Sequence, residues 1–209
     1  MGWSVQVGEA VATRRWALRA PWVGAAVLTL TGCGGSVESD IAAQARQGDE
    51  KGYIAGDGTV QQIAVPDRET QITLTGTTLE GEAWSSRDVR GEVLVINVWG
   101  SWCGPCIEEL PDLEKAQAST TGEGEPVVFM GVNRRDGAAT ALAFQNNKNV
   151  PYPSLEDNGG RTQQDLQGLA NATPTTLILD RDGLVAGRVS GQVEASVLVA
   201  MVMDVVNES

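Results

Sequence analysis

A pair of cysteines stands between an apolar run and an amphipathic segment, and no other feature of this 209-residue chain constrains the fold as much. The run Val93–Trp99 reads VLVINVW, which is typical of a strand buried on both faces. The motif Cys103-Gly-Pro-Cys106 follows, and apolar residues then recur at helical spacing from Ile107 to Leu113. Because proline is favoured in the first turn of a helix, Pro105 predicts a helix that begins within the motif.

Such a pair could be a structural clip, half of a metal site or a working dithiol. A disulfide across two intervening residues closes a short loop, so it would remove little entropy from the unfolded chain. Histidine is absent and the chain has three cysteines, Cys33, Cys103 and Cys106, which excludes histidine-ligated metals, a four-cysteine zinc site and histidine-dependent proteases. The working dithiol is favoured, and we predict no metal and no cofactor beyond a redox-active Cys103–Cys106 disulfide.

The position of the pair predicts different roles for its two thiols. Cys103 would lie at the helix N-terminus, where the macrodipole favours a thiolate, and we expect it to be exposed. Cys106, one turn later, is placed to attack the mixed disulfide that Cys103 forms with a substrate. Gly104 would let a partner chain approach, and Pro105 would stiffen the first turn. These features predict a thiol–disulfide oxidoreductase.

The N-terminal segment has the pattern of an export signal. Three arginines within residues 14–19 precede the apolar run 20–30, which is shorter than the roughly 20 residues that a membrane-spanning helix needs. The sequence Leu30-Thr-Gly-Cys33 resembles the bacterial lipoprotein box, which implies that Cys33 is lipidated and becomes the first mature residue. Both general secretion and twin-arginine export are compatible with this segment.

Composition and the export signal together suggest a division of the chain. We predict a lipoprotein signal peptide in residues 1–32, a flexible membrane tether rich in Gly, Ser, Gln and Asp in residues 33–68, and a folded domain in residues 69–209. The net charge is −12, from 15 basic and 27 acidic side chains, and such a surface repels nucleic acids. Export also places the cysteine pair where disulfides persist.

After residue 70, strand and helix patterns alternate. Ile72–Gly76 alternates like a strand, and Leu79–Trp84 indicates a hairpin turn around Gly81. The further predicted strands are residues 93–99, 127–132, 175–179 and 184–190, and the predicted helices are residues 105–118, 138–147, 163–170 and 193–206. This order predicts an α/β fold in which helices flank a central mixed sheet, with an N-terminal β-hairpin extension.

Two motifs resemble the active site of the thioredoxin fold. The sequence Trp102-Cys-Gly-Pro-Cys106 follows a predicted buried strand, as the dithiol of that fold does. The sequence Ala172-Thr-Pro-Thr-Thr-Leu177 precedes another strand and resembles the cis-proline loop. The resemblance implies a cis bond between Thr173 and Pro174, and a substrate-binding role for both residues and Trp102.

Two further residues resemble the exported, membrane-tethered ResA/TlpA family. Asn97 stands where cytoplasmic thioredoxins have a buried Asp, and Glu109 stands three residues after Cys106. The resemblance covers residues 60–206 and implies that Glu109 acts as an acid and base beside the thiols, with Asn97 and Pro105 supporting the site. The neighbouring Glu108 is expected to be a solvated surface residue.

The same resemblance implies a monomeric, lipid-anchored enzyme on the extracytoplasmic side of the cell membrane. It would reduce disulfides in protein substrates, among them apocytochrome c during cytochrome c biogenesis, and a membrane thiol donor would supply its electrons. The direction of electron flow depends on the potentials of the partners, so an exported disulfide oxidase or isomerase is an alternative. A thiol peroxidase of this fold would need Thr where the chain has Gly100.

Overall fold

The computed structural model describes Gly2, residues 55–122 and residues 126–208. The strands are β1 (Thr59–Gln62), β2 (Thr75–Thr77), β3 (Ala83–Ser85), β4 (Val93–Trp99), β5 (Val127–Arg134), β6 (Ser154–Asp157), β7 (Thr175–Leu179) and β8 (Val185–Ser190). The helices are α1 (Gly104–Thr120), α2 (Ala138–Lys148), α3 (Arg161–Asp165) and α4 (Ala195–Val206). Across these residues, the helices are too short or too polar to cross a bilayer. Apart from Gly2, the predicted signal peptide lies outside the described residues, as do Cys33 and most of the predicted tether.

A six-stranded mixed sheet lies at the centre of the fold, in the order β1-β8-β7-β4-β5-β6. β4 pairs in parallel with β5 and antiparallel with β7, and every residue of β4 is buried, as its apolar sequence predicts. β2 and β3 form a separate hairpin whose turn includes Gly81 at φ 92°, a conformation that favours glycine. The predicted α/β fold with a mixed sheet and an N-terminal hairpin is therefore confirmed.

The two faces of β4 belong to different parts of the core. Val93 and Val95 pack with apolar residues of α1 and α4, the largest of which are Leu113, Leu198, Met201 and Val202. Leu94, Ile96 and Val98 pack on the opposite face with a second cluster that includes Ile72, Leu155 and Leu177. Because side chains alternate along a strand, Asn97 shares the face of Val93 and Val95, towards α1. This alternation aims a polar side chain at the helix that carries the second cysteine.

The folded domain begins earlier than the sequence predicts. β1 lies inside the predicted tether, residues 33–68, and pairs antiparallel with β8, with Thr59 opposite Ser190. All four residues of β1 are exposed, so the strand lacks the apolar alternation by which a sequence reveals a strand. Main-chain hydrogen bonds to β8 hold β1 in the sheet, and such bonds leave no pattern in the side chains. The predicted boundary at residue 68 is wrong for this reason.

Two other elements differ from the predictions. β6, with the sequence SLED, pairs in parallel with β5 at the edge of the sheet and was not predicted, because its composition is polar. Of the predicted helix 163–170, only residues 163–165 are helical, and they form the end of the five-residue α3. Gln167 and Gly168 follow it with φ of 51° and 77°, a left-handed conformation that ends the helix.

Candidate active site

The two cysteines form a disulfide at the N-terminus of α1. Their Cα atoms are 5.3 Å apart. Cys103 is the N-cap residue, and its Sγ accepts a hydrogen bond from the main-chain N–H of Cys106 at 3.3 Å. In the reduced protein, that donor and the helix macrodipole would both stabilise negative charge on Cys103 Sγ. The geometry therefore favours Cys103 as the attacking thiolate of the pair.

Both cysteines are buried in the disulfide state. Cys103 is 0% exposed and Cys106 is 2% exposed. They belong to an apolar cluster that includes Leu79, Trp99 and Ala141, with Trp102 packed beside it. The expectation that Cys103 is exposed is wrong for this state, because residues from the hairpin and α2 join the cluster around it.

The carboxyl group of Glu109 is buried on the same helix. Glu109 is 2% exposed, and its two oxygens accept hydrogen bonds from Asn97 Nδ2 at 2.9 Å and from the Val193 N–H at 3.2 Å. Burial raises the pKa of Glu109 to about 8, although the two hydrogen bonds oppose the rise and nearby Asp112 adds to it. A carboxyl group with such a pKa can take up or release a proton near neutral pH.

Asn97 joins three other side chains in one buried network. Its Nδ2 donates to Glu109 and also to Thr176 Oγ1 at 3.3 Å, while its Oδ1 accepts from the hydroxyl of Tyr152 at 3.3 Å. Thr176 lies directly opposite Asn97 in the pairing of β7 with β4. Sequence reasoning identified Asn97 and Glu109 but missed Tyr152, Thr176 and Val193, whose positions depend on the packing of distant segments.

The Thr173–Pro174 peptide bond is cis, as the resemblance implies. The loop is held by Thr175, whose Oγ1 donates to the Ala172 carbonyl at 2.8 Å, and by the Gly191 N–H, which donates to the Pro174 carbonyl at 3.0 Å. Since β7 pairs antiparallel with β4, this loop lies at the end of β4 from which the chain continues to the disulfide.

A second polar group anchors the segment just before Cys103. Asp136 accepts hydrogen bonds from the N–H and hydroxyl of Ser101, both at 2.8 Å, and from Asn133 Nδ2 at 2.8 Å. Trp102 Nε1 donates to the Arg134 carbonyl at 3.0 Å. Sequence reasoning missed Ser101, Asn133 and Asp136. A usable signal was the polar sequence Asn133-Arg-Arg-Asp136 that ends β5, a neighbour of β4 in the sheet.

Glu108 differs from Glu109 in its surroundings. It is exposed, as expected, and its Oε2 accepts a hydrogen bond from Gln192 Nε2 at 2.9 Å. The same Gln192 nitrogen donates to the Pro105 carbonyl at 3.1 Å, so Gln192 contacts the first turn of α1. Among the described residues, no cluster of three or more cysteine or acidic side chains could hold a metal ion.

The family of the chain follows from residues 64–188, which match the AhpC/TSA family over more than half of the sequence. The chain belongs to the AhpC/TSA family. The match extends from the turn after β1 to the middle of β8 and so includes the disulfide, Glu109 and the cis-proline loop.

Curated relatives of this AhpC/TSA chain carry names from thiol–disulfide chemistry. It is 32% identical over 111 residues to the thiol:disulfide interchange protein DsbE of Pseudomonas aeruginosa, which covers 53% of the chain and 57% of DsbE. It is 31% identical over 125 residues to the thioredoxin-like protein YneN of Bacillus subtilis, over 60% of the chain and 72% of YneN. Identity to the thiol-disulfide oxidoreductase ResA of Bacillus anthracis is 27%, over 56% of the chain and 65% of ResA. The chain thus spans less than two thirds of DsbE and ResA.

Solved structures give the same fold. A secreted thiol-disulfide isomerase from Corynebacterium glutamicum superposes with a TM-score of 0.66 at 26% identity, over 73% of this chain and 95% of that one. A DsbF homologue from Corynebacterium diphtheriae gives a TM-score of 0.64 at 28% identity, over 73% of this chain and 99% of the homologue. The AhpC/TSA chain therefore has a thioredoxin-like fold, and its predicted resemblance to exported thiol–disulfide oxidoreductases is confirmed.

Proposed function

We propose that the protein is an extracytoplasmic thiol–disulfide oxidoreductase that reduces disulfides in protein substrates. The observation that carries the proposal is the Cys103–Cys106 disulfide at the start of α1, where the Cys106 N–H donates to Cys103 Sγ. The names of DsbE and ResA support the same chemistry. The proposed redox group is the cysteine pair itself, without a metal or another cofactor.

The proposed reaction transfers two electrons from the dithiol to a substrate disulfide. The Cys103 thiolate attacks one substrate sulfur, so that the substrate S–S bond breaks and a mixed disulfide forms. The other substrate sulfur leaves as a thiolate and takes up a proton from solvent. Cys106 then gives up its proton and attacks Cys103 Sγ, which forms the Cys103–Cys106 disulfide and releases the second substrate sulfur. The oxidised pair in the structure corresponds to this product.

Glu109 is the proposed base for Cys106. The two residues are three apart on α1 and so share a face of the helix. The carboxylate would accept the proton of Cys106 and later return it to the substrate thiolate that leaves. Because the pKa of Glu109 is about 8, a fraction of the groups is ionised at neutral pH and the proton is readily returned.

Substrate contacts are proposed for Trp102, Thr173 and Pro174. The cis-proline loop precedes β7 at the end of β4 from which the chain continues to the dithiol, and the half-buried Trp102 directly precedes Cys103, so an extended substrate segment could pair with the loop backbone. The proposed substrates are exported proteins with disulfides, among them apocytochrome c, and a membrane thiol donor would re-reduce Cys103 and Cys106.

The proposed location follows from the N-terminal sequence. Export, lipidation of Cys33 and a tether that ends before β1 would hold a monomeric domain at the outer side of the cell membrane. A single acyl chain binds a membrane only marginally, whereas a multiply acylated cysteine is a stable anchor. The secreted relative from Corynebacterium glutamicum supports an extracytoplasmic site of action.

A substrate-trapping experiment tests the proposed function. Reduced wild-type protein should reduce a model protein disulfide, Cys106→Ser should accumulate mixed disulfides, and Cys103→Ser should do neither. Equal rates in all three proteins would falsify the role of the dithiol.

The isomerase alternative has one observation in its favour, the likeness to a secreted thiol-disulfide isomerase. Redox equilibration against a series of glutathione buffers distinguishes a reductase from an isomerase, because a reductase requires a cysteine pair with a lower potential than that of its substrates. Recovery of activity from a scrambled disulfide protein without net oxidation or reduction would favour the isomerase, and net reduction of the substrate would favour the reductase.

A further inference from the structure

The side-chain amide of Asn97 could lie in either of two orientations, related by exchange of its oxygen and nitrogen atoms. A side-chain amide has an acceptor oxygen on one side and a donor NH₂ group on the other, and the two are similar in size. In the structure, Nδ2 faces Glu109 and Thr176, while Oδ1 faces Tyr152. Asn97 is 1% exposed, so its surroundings must fix the orientation.

Thr176 does not fix the amide by itself. Its hydroxyl can donate or accept, so it would be satisfied by either end of Asn97. Glu109 does not fix the amide either, because a protonated carboxyl group can donate to an amide oxygen and an ionised one accepts from the amide N–H. The hydroxyl of Tyr152, on the far side, is the remaining contact of the Asn97 amide among those described.

The surroundings of Tyr152 make its hydroxyl a constant donor. Tyr152 is 3% exposed, and its ring packs against Phe129 with centroids 5.9 Å apart. Burial, with a smaller contribution from the charge of Glu109, raises the pKa of Tyr152 well above its usual value. The phenol therefore stays protonated over the range in which Glu109 titrates.

We propose that Tyr152 is a positioning residue that donates to Asn97 Oδ1 and thereby holds the Asn97 N–H towards the Glu109 carboxylate. The hydroxyl lies on the opposite side of Asn97 from Glu109 and acts through the amide. The consequence for the dithiol rests on the proposed function, in which Glu109 carries the proton of Cys106.

The proposal has a direct electrostatic consequence. A donor that faces a carboxylate favours its ionised form, so the Asn97 N–H partly offsets the effect of burial on Glu109. Among the described residues, the other groups that influence the pKa of Glu109 are the Val193 N–H, from the segment before α4, and Asp112 on α1. Neither changes when the hydroxyl of Tyr152 is removed. Tyr152→Phe should therefore raise the pKa of Glu109 further, by about one unit, which is of the order expected for a lost hydrogen bond to a charged group.

The test is a carboxyl titration by NMR in the oxidised protein, where the cysteines do not titrate. The Glu109 resonance is assigned from its loss in Glu109→Gln and is followed with pH in wild type and Tyr152→Phe. Thr120→Val is the matched control, since Thr120 is also fully buried but bonds to the main chain of α1 rather than to Asn97. We expect an upward shift in Tyr152→Phe and none in Thr120→Val. An unchanged Glu109 titration in Tyr152→Phe, or an equal shift in Thr120→Val, would overturn the proposal.

A second arm shows whether Tyr152 acts through Asn97. Asn97→Leu removes the amide but keeps a similar volume, and adding Tyr152→Phe to it should cause no further shift in the Glu109 titration. A further shift of about the same size would mean that the hydroxyl acts by another route and would overturn the positioning role. The titration does not depend on catalysis. If Glu109→Gln fails to slow reduction, Glu109 is not the base for Cys106, and the shift of the Glu109 pKa in Tyr152→Phe still decides whether Tyr152 orients the Asn97 amide.

Discussion

Asn97 Nδ2 lies 2.9 Å from Glu109 Oε1, and this contact joins the central strand β4 to the helix that carries Cys106. It satisfies a buried carboxyl group, yet the pKa of Glu109 still rises to about 8, because burial outweighs the hydrogen bonds. An acid that is half ionised slightly above neutral pH, next to a dithiol, is suited to exchanging protons with it.

Replacement of Glu109 should slow disulfide reduction. Glu109→Gln keeps the size of the side chain but removes the titrating group, so the rate of reduction should fall by up to about 10²–10⁴-fold, as is typical of general acid–base catalysis. The redox potential should move modestly, because both cysteines remain. Stopped-flow reduction of a model disulfide as a function of pH measures the effect.

Glu108→Gln is the control for this variant. Glu108 is exposed and contacts Gln192 at the surface, so its replacement should leave the rate within about twofold of wild type. If Glu108→Gln and Glu109→Gln give the same rates and pH profiles, Glu109 has no part in proton transfer.

Glu109 should also make the stability of the oxidised protein depend on pH. Its pKa is raised from 4.5 to about 8, so the folded protein retains a proton that the unfolded chain releases. The contribution of Glu109 to the free energy of unfolding is therefore full below pH 4.5 and decreases as the pH rises to about 8. In Glu109→Gln this decrease should be absent.

Denaturant unfolding at several pH values measures this difference. Each unit of pKa difference corresponds to about 1.4 kcal/mol, so the wild type should lose up to a few kcal/mol relative to Glu109→Gln between pH 5 and pH 8. The diagnostic quantity is how the difference in free energy of unfolding between the two proteins changes with pH. A constant difference is expected as well, because Gln leaves one N–H of Asn97 or Val193 poorly paired at every pH. Parallel curves for the two proteins would contradict a raised pKa.

The sequence predicts the parts of the site that depend on local pattern. β4 and α1 follow from an apolar run, a cysteine motif and helical spacing, and the cis-proline loop follows from a second motif. Edge strands β1 and β6 could not be predicted in this way. Main-chain hydrogen bonds to β8 and β5 hold them, so their side chains are free to be polar.

The buried network around Glu109 is also beyond local pattern. Asn97, Tyr152 and Val193 come from three distant parts of the chain, and the local sequence around Tyr152 and Val193 does not mark either residue as part of the site. The pKa of Glu109 depends on the burial that these segments create together, and burial is a property of the packed structure. Sequence resemblance identified the carboxyl group, and packing determines its protonation.

Asp136 should stabilise the segment that precedes the dithiol. Asp136→Ala leaves the Ser101 N–H and the Asn133 amide without their acceptor, which should cost about 1–3 kcal/mol of stability and slow reduction through a less ordered Trp102–Cys103 segment. Chemical denaturation and the same reduction assay measure the two effects.

Asp136→Asn is the conservative variant for comparison. It keeps one oxygen for the Ser101 N–H, and its amide nitrogen can donate to the Ser101 hydroxyl, so most of the stability and activity should be retained. An equal loss in both variants would mean that the negative charge, rather than the hydrogen bonds, is what matters.

Cys33→Ala should release the protein from the membrane fraction or leave its precursor unprocessed, because the lipid is the proposed attachment. Fractionation of cells that express the variant, with the size of the protein determined on the same samples, measures both outcomes. Cys103→Ser serves as the control for loss of a cysteine and should remain in the membrane fraction. A Cys33→Ala protein that is processed and retained like wild type would refute the lipid anchor.

Arg68 should stabilise the domain from within the segment that the sequence assigns to the tether. Its guanidinium bonds to both carboxyl oxygens of Glu208, at 2.7 and 2.6 Å, and to Asp180 at 3.1 Å. The side chain of Arg68 is 2% exposed, whereas that of Glu208 is 30% exposed. Arg68→Met keeps the aliphatic volume and should cost about 1–3 kcal/mol, less than for a fully buried pair because solvent screens Glu208.

Lys115→Met is the matched control for Arg68→Met. Lys115 pairs with Asp112 at 3.3 Å, but its side chain is 68% exposed, so its loss should change the free energy of unfolding by less than about 0.5 kcal/mol. The same argument predicts that a chain starting at residue 69, without β1 and Arg68, is less stable than one starting at residue 55. Equal stability of these two chains would mean that the folded domain does begin at residue 69, and that neither the β1–β8 pairing nor the Arg68 bonds contribute measurably to it.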